Sequence, residues 1–371
     1  MPNRIRVLAF LAAALAVPLG APAQKIADLP LRPPDAKLAE EFSRIAYVRE
    51  IGDGRLLVTD DKDRRLVVAD FRTGIVSPIS RNGEGPGEYR NPRGLLPLGG
   101  DSTLLVDDMN RRWLVLVGAA VVLTLPPETS LIGALNAVAD GADRSGHVLV
   151  SRTSGGNPGD SGLLLRGWRA TGRVDTIARL RSAAQDARYV TNVDGSGNAR
   201  LSMFLRMPAA GEQGILFADG WIAIARLVPY RVEWRAPDGR STLGPTLPAE
   251  LPTFDEREKR AFVEREAKTT GRAARSIEEI PVWWPVVPPF EGSRGAFLAE
   301  PEGKLLVRRT PTVIHAETRY DVVDRRGALV GRVTMPANHR IVGFGSRSVY
   351  VAVTDDDGIQ RLQRHPWPTS R

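Results

Sequence analysis

The chain contains no cysteine. A zinc ribbon, a thiol enzyme, a disulfide-stapled miniature scaffold and a lipidated cysteine anchor are therefore all excluded. Histidine is nearly as scarce, with His147, His315, His339 and His365 as the complete set, and no pair falls at helical or hairpin zinc-ligand spacing. Lysine supplies only six of the 51 basic residues, a bias that fits genome composition as well as it fits an anion-binding face. The apolar run Val7–Val17 has 11 residues, too few to cross a hydrocarbon layer of roughly 30 Å as a helix.

What is present is a core and many turns. The 371 residues are 42% hydrophobic, with 36 glycines, 28 prolines and a formal charge of +8. A chain of about 300 residues buries roughly three quarters of its unfolded surface, so it needs no metal staple.

Residues 1–23 have the layout of a secretory signal. Arg4 and Arg6 precede the apolar run, Pro18 and Gly20 break it, and Ala21-Pro22-Ala23 suits a cleavage enzyme that selects small residues. Cleavage near Ala23 would leave residues 24–371 as a single domain in the periplasm or outside the cell. That compartment makes nucleic acid an unexpected partner despite the basic balance, and no transmembrane segment is expected in the mature chain.

A tight turn followed by β-forming residues recurs six times. The copies are Asp53-Gly54-Arg55 before Leu56-Leu57-Val58, Asp101-Ser102-Thr103 before Leu104-Leu105-Val106, Ser145-Gly146-His147 before Val148-Leu149-Val150, Asp219-Gly220 before Trp221-Ile222-Ala223-Ile224, Glu302-Gly303-Lys304 before Leu305-Leu306-Val307, and Ser346-Arg347-Ser348 before Val349-Tyr350-Val351. The last apolar residues of these runs lie 48, 44, 74, 83 and 44 positions apart. The unit is therefore about 45 residues, with insertions at 181–213 and 246–289. Second turns at Gly74, Gly118, Gly172, Gly239 and Gly327 close an outer hairpin in most units. Two hairpins per unit predict an all-β chain: a six-bladed β-propeller of four-stranded antiparallel blades with one helical insertion. The last unit is one strand short. Lys25–Leu31 is the segment expected to supply that strand and close the ring.

Arg81-Asn82-Gly83-Glu84-Gly85-Pro86-Gly87-Glu88-Tyr89, with Asn91-Pro92 after it, resembles the junction motif of NHL-type propellers. Val106-Asp107-Asp108-Met109-Asn110-Arg111-Arg112 resembles their inner-hairpin signature, and Asp60-Asp61-Lys62-Asp63-Arg64-Arg65 repeats it. The likeness is sharp over residues 52–116 and then fades. It implies a six-bladed propeller of the exported bacterial type and no particular reaction.

Several motifs invite sharper readings. The glycine loop lacks the following helix a phosphate cradle needs, and Glu84 would repel the anion. Gly159-Asp160-Ser161-Gly162 spells a protease nucleophile motif without a companion histidine motif. Asp194-Gly195-Ser196-Gly197-Asn198 begins like a calcium loop but has Leu205 where a bidentate glutamate is required. No metal site is assigned and no cofactor is expected, although calcium stays open through the oxygens of Asp60, Asp61, Asp107, Asp108 and Asp355–Asp357. Thr253–Ser276 is predicted as a surface helix, with Thr253 and Glu256 forming its capping box. Val282-Trp283-Trp284-Pro285 reads as packing beneath that insertion.

In a four-stranded blade, the loop between the second and third strands emerges on the same face as the crossing to the next blade. Both insertions, the glycine loop and the Asp60 and Asp107 turns belong to these two classes, so elaboration gathers on one mouth of the channel. The expected ligand-contacting residues are Asp60, Asp107, Arg226, Tyr230, Arg308 and His315. The leading expectation is a binding module for a peptide, glycan or protein partner. A calcium-dependent hydrolase of the lactonase or esterase kind, or a lyase, of the six-bladed propeller class is the alternative, and a structural part of an envelope complex is a third.

Overall fold

The computed structural model describes residues 26–125, 137–152, 161–168, 171–181, 188–193, 199–204, 211–249, 253, 255–270, 287–292 and 295–367. Residues 1–25, the Asp194 loop and the Val282–Pro285 stretch lie outside them.

Two short strands, β1 (Ala27–Asp28) and β2 (Ala36–Lys37), come first. Blade 1 holds β3 (Ile45–Glu50), β4 (Leu56–Asp60), β5 (Arg65–Ala69) and β6 (Val76–Pro78). Blade 2 holds β7 (Pro92–Gly99), β8 (Ser102–Asp107), β9 (Arg112–Val117) and β10 (Ala120–Leu125). Blade 3 holds β11 (Ala137–Ala142), β12 (His147–Arg152), β13 (Ser161–Trp168) and β14 (Val174–Arg181). A separate hairpin, β15 (Arg188–Val193) with β16 (Ala199–Phe204), leads to blade 4. That blade holds β17 (Gln213–Leu216), β18 (Ile222–Leu227), β19 (Tyr230–Arg235) and β20 (Ser241–Leu243). Helix α1 (Glu256–Thr270) precedes blade 5, which holds β21 (Phe297–Ala299), β22 (Leu305–Arg308), β23 (Thr318–Val323) and β24 (Leu329–Met335). Blade 6 holds β25 (His339–Phe344), β26 (Ser348–Thr354) and β27 (Gln360–Pro366), with β2 as its fourth strand.

Six buried clusters lie between successive blades and close the ring. Leu57, Leu66 and Leu105 join blade 1 to blade 2, while Leu104, Val106 and Val148 join blade 2 to blade 3. Leu149, Leu164 and Ile224 join blades 3 and 4, and Val232, Trp234 and Leu305 join blades 4 and 5. Leu306, Val322 and Val351 join blades 5 and 6. Leu56, Val58 and Tyr350 complete the circle between blades 6 and 1. Adjacent residues such as Leu56 and Leu57 are both fully buried because successive side chains leave a strand on opposite faces, and a neighbouring blade covers each face. This is why the second strands read as continuous apolar runs. Burial of each such leucine is worth about 1.5–3 kcal/mol. The fold is a six-bladed β-propeller with one described helix.

The closure differs from the sequence expectation. Within Lys25–Leu31, Ala27 and Asp28 pair in parallel with Gly331 and Arg332, adding β1 as a fifth strand to blade 5. Blade 6 is instead closed by Ala36 and Lys37, antiparallel to Arg364 and Gln363. Pro33-Pro34 separates the two pairings, since neither proline has an N–H to donate to a ladder. Leu38 and Phe42, 2% and 1% exposed, then anchor the closing segment between blades 6 and 1.

The described helix runs Glu256–Thr270, residues 271–276 of the predicted Thr253–Ser276 lie outside the described residues, and its cap differs. Asp255 Oδ1 accepts from the backbone N–H of Arg257 and Glu258, both at 2.9 Å, so aspartate takes the place assigned to Thr253. Val313 N–H donates to the buried Glu258 Oε1 at 2.6 Å, and Arg265 donates to the Pro311 carbonyl at 3.1 Å. These contacts dock α1 on the loop between β22 and β23.

Candidate functional site

Strand alternation divides the loops between two rims. The first-to-second and third-to-fourth strand turns form the turn rim: 51–55, 100–101, 143–146, 217–221, 300–304 and 345–347 on the inner side, and 70–75, 118–119, 169–173, 236–240 and 324–328 on the outer. The second strands end and the third strands begin at the opposite, crossing rim, which carries the described loops 61–64, 108–111, 228–229, 309–317 and 355–359. The strands joined by the blade crossings 38–44, 79–91, 126–136, 182–212, 244–296 and 336–338 also end and begin at this rim. Every connection longer than about eight residues starts and ends at the crossing rim.

Asp60 and Asp107 occupy equivalent places at the ends of β4 and β8, and each is fully buried. Asp60 accepts from the backbone N–H groups of Ser43, Arg44, Lys62 and Asp63 at 2.7–3.2 Å. Asp107 accepts from those of Arg90 and Asn91 and from the Asn110 amide at 2.8–3.2 Å. Each carboxylate thus ties an incoming blade crossing to its own turn. Arg64 and Arg111 repeat the likeness, since both sit at positive φ, 55° and 49°, at the same place in the two turns.

Within the glycine loop, Gly83 and Gly85 crowd the Glu88 carboxylate, and Gly85 N–H donates to Glu88 Oε2 at 2.7 Å. Gly87 has a φ of 74°. The loop wraps its own glutamate at the crossing from blade 1 to blade 2.

Arg226, near the end of β18, is clamped by two carboxylates. Its guanidinium donates to Glu212 at 2.7 Å, to Glu233 at 2.7 and 3.1 Å, and to the Arg179 carbonyl at 2.9 Å. Burial works to lower its pKa, but the two glutamates outweigh it and hold the pKa above the ordinary value. Tyr230, opposite Leu227 on β19, donates to Asp321 Oδ2 at 3.1 Å, under the Arg309 guanidinium 5.3 Å from its ring. Burial first, and then Asp321, push its phenol well above the ordinary value. Asp321 also accepts from Arg309 at 3.3 Å and from Arg332 at 2.9 Å.

Arg308 ends β22 and pairs with Glu291. Burial opposes its charge, but Glu291 and Tyr320 keep its pKa above the ordinary value. His315 lies in the loop that α1 touches. Its backbone N–H meets Thr312 Oγ1 at 3.0 Å, and its Nδ1 lies 3.0 Å from Glu317. The six residues therefore stand in blades 1, 2, 4 and 5 around the crossing rim, each within its own set of partners. Among the described residues, no three His, Asp or Glu side chains form a group that could hold a metal ion. Ser161 of the protease-like motif lies in the β13 ladder opposite Arg181.

Sequence reading missed Arg340. It is the second residue of β25, the innermost strand of blade 6, and its Nη2 donates to the Ile45 carbonyl at 2.6 Å across the blade 6 to blade 1 boundary. No motif marks it. Only the strand register and the ring closure bring it beside Ile45.

No family model and no curated protein matches this sequence. Solved structures do. A member of the DUF4221 family from Bacteroides vulgatus is 9% identical, with 94% of this chain and 98% of that one covered at a TM-score of 0.51. The calcium-binding protein regucalcin from Agrobacterium tumefaciens is 12% identical over 93% and 98% of the two chains, at 0.45. Virginiamycin B lyase from Staphylococcus aureus is 9% identical over 90% and 98%, at 0.43. At these identities the likeness is one of fold. No helix among the described residues is long and apolar enough to cross a membrane.

Proposed function

We propose that this chain is an exported, NHL-like binding module whose crossing rim holds a peptide, glycan or protein partner. The asymmetry between the rims carries the reading. The turn rim has only short turns, whereas the crossing rim bears a 31-residue connection with its own hairpin and a second connection containing α1. Material added to one rim of a rigid ring is what a recognition surface requires. The docking of α1 through Glu258 and Arg265 shows that at least one excursion is held against the ring. Export rests on the residue 1–23 pattern, and the NHL likeness on residues 52–116.

The test is a screen of immobilised peptides and glycans against the purified chain and two variants, one with 183–210 and one with 250–286 replaced by a short glycine-serine link. Binding lost in either variant, with the melting transition kept, supports the reading. Binding unchanged in both overturns it. Calcium titration followed by calorimetry checks the hydrolase alternative, which requires saturable uptake of the ion.

A further inference from the structure

Burial lowers the pKa of both Arg340 and Arg49 to about 10, and their surroundings differ. Arg49, on the turn rim, donates to the Ser102 and Gly100 carbonyls and to Thr103 Oγ1, so it is a strut between blades 1 and 2. Arg340, on the crossing rim, makes one hydrogen bond among the described residues, to Ile45 O, and no ion pair within 4.0 Å. Its Nη1 lies beside Gly295, where even an added Cβ would stand 3.8 Å away. Nε and Nη1 are not among the fully buried atoms left without a partner, so that edge of the guanidinium reaches solvent. Burial and the like charge of Arg308 oppose its cation, while Tyr320, Glu291 and Asp61 favour it from longer range. At neutral pH the group stays charged. The rim therefore holds an oriented, partly desolvated cation with donors to spare.

We propose that Arg340 anchors a carboxylate of an acidic peptide held on the crossing rim, an inference that rests on the binding reading above. A carboxylate presents two coplanar oxygens to the guanidinium fork. A monoanion also matches a single uncompensated charge, whereas a phosphate dianion would leave excess negative charge near Glu291 and Asp61. Exposed aliphatic side chains on this rim favour peptide over glycan. Val228, Val313 and Ile314 are 72%, 38% and 75% exposed on the loops of blades 4 and 5, and no large exposed aromatic ring stands among the described residues as a platform for sugar.

The test titrates N-acetyl-leucyl-glutamate α-amide, which carries a single carboxylate, its all-amide counterpart, glucuronate and inorganic phosphate into the full chain. The Arg340 side-chain N–H signal is followed in isotope-labelled protein, and heat in the wild type, Arg340→Lys and Arg340→Gln. The acidic peptide is expected to move the Arg340 signal saturably and its amide to leave it in place. Arg340→Gln should weaken binding at least about tenfold and Arg340→Lys by less, since lysine keeps the charge and loses the fork. Equal binding by wild type and Arg340→Gln, an unmoved Arg340 signal, or tighter binding of glucuronate or phosphate overturns the proposal. If Arg340→Gln melts early, Arg340→Lys alone decides. Screen binding that is lost on excision of an excursion and kept in Arg340→Gln overturns this inference and spares the binding reading. Arg340-dependent peptide binding that survives both excisions does the reverse.

Discussion

Asp60 and Asp107 do the same work in successive blades. Each buried carboxylate gathers the backbone N–H groups of an incoming crossing and of its own turn. Removing either leaves several buried donors unanswered, each worth about 1–3 kcal/mol. Asp60→Ala and Asp107→Ala are therefore expected to lower stability by about 2–4 kcal/mol each. The two sites share no partner, so the double variant should show nearly additive loss in urea unfolding. A loss under about 0.5 kcal/mol in either would contradict the clamp role.

Glu233 makes stability depend on pH. Burial acts to raise its pKa, but Arg226, Arg235 and Ser241 outweigh burial and hold it below the ordinary glutamate value. A lowered folded-state pKa gives stability that is present above the unfolded pKa and lost as pH falls through the folded one. The melting temperature should fall on acidification through and below the ordinary glutamate range, and Glu233→Gln should flatten that part of the profile. An unchanged slope in Glu233→Gln would contradict the pairing with Arg226.

Blades 4 and 5 meet backbone to backbone at Gly244 and Gly327. A Cβ on Gly244 would stand 2.7 Å from the Gly327 Cα and 2.8 Å from the Val232 carbonyl oxygen. Backbone atoms cannot swing aside as a side chain can, so Gly244→Ala is expected to destabilise by about 1–3 kcal/mol. Gly327→Ala should cost more, because Gly327 also sits at a φ of 78°. Gly54→Ala is the control. It shares the positive φ but meets nothing within 4 Å, and should be milder than Gly327→Ala by thermal melting.

Ring closure depends on Leu38 and Phe42 more than on Lys25–Leu31. Phe42→Ala should destabilise by about 3–5 kcal/mol. Removal of residues 1–31 deletes β1 but leaves β2, Leu38 and Phe42, and should retain a cooperative transition. Loss of cooperativity in that truncation would show that β1 is needed to close the ring.

The blade count was legible because a second strand buried on both faces must be apolar throughout, and its entry turn needs a compact polar or glycine residue. Leu56–Val58 and Leu305–Val307 carry that signal without help from tertiary context. The closing strand was not legible. Ala36-Lys37 is two residues long and is fixed by Leu38, Phe42 and the far end of the chain, contacts that no local pattern records. The aspartate turns were visible as a repeat, but their saturation by backbone N–H groups depends on where the crossings land. Arg340 was invisible for a related reason: its partner Ile45 is 295 residues away.

The most direct test of recognition at the crossing rim is amide hydrogen exchange of the chain with and without a peptide or glycan retrieved by the screen. The account predicts slowed exchange in 309–317, 336–340 and the excursions 182–212 and 244–296, with the turn-rim segments 51–55, 236–240 and 324–328 unchanged. Protection confined to those turn-rim segments or to the β10 edge would contradict it.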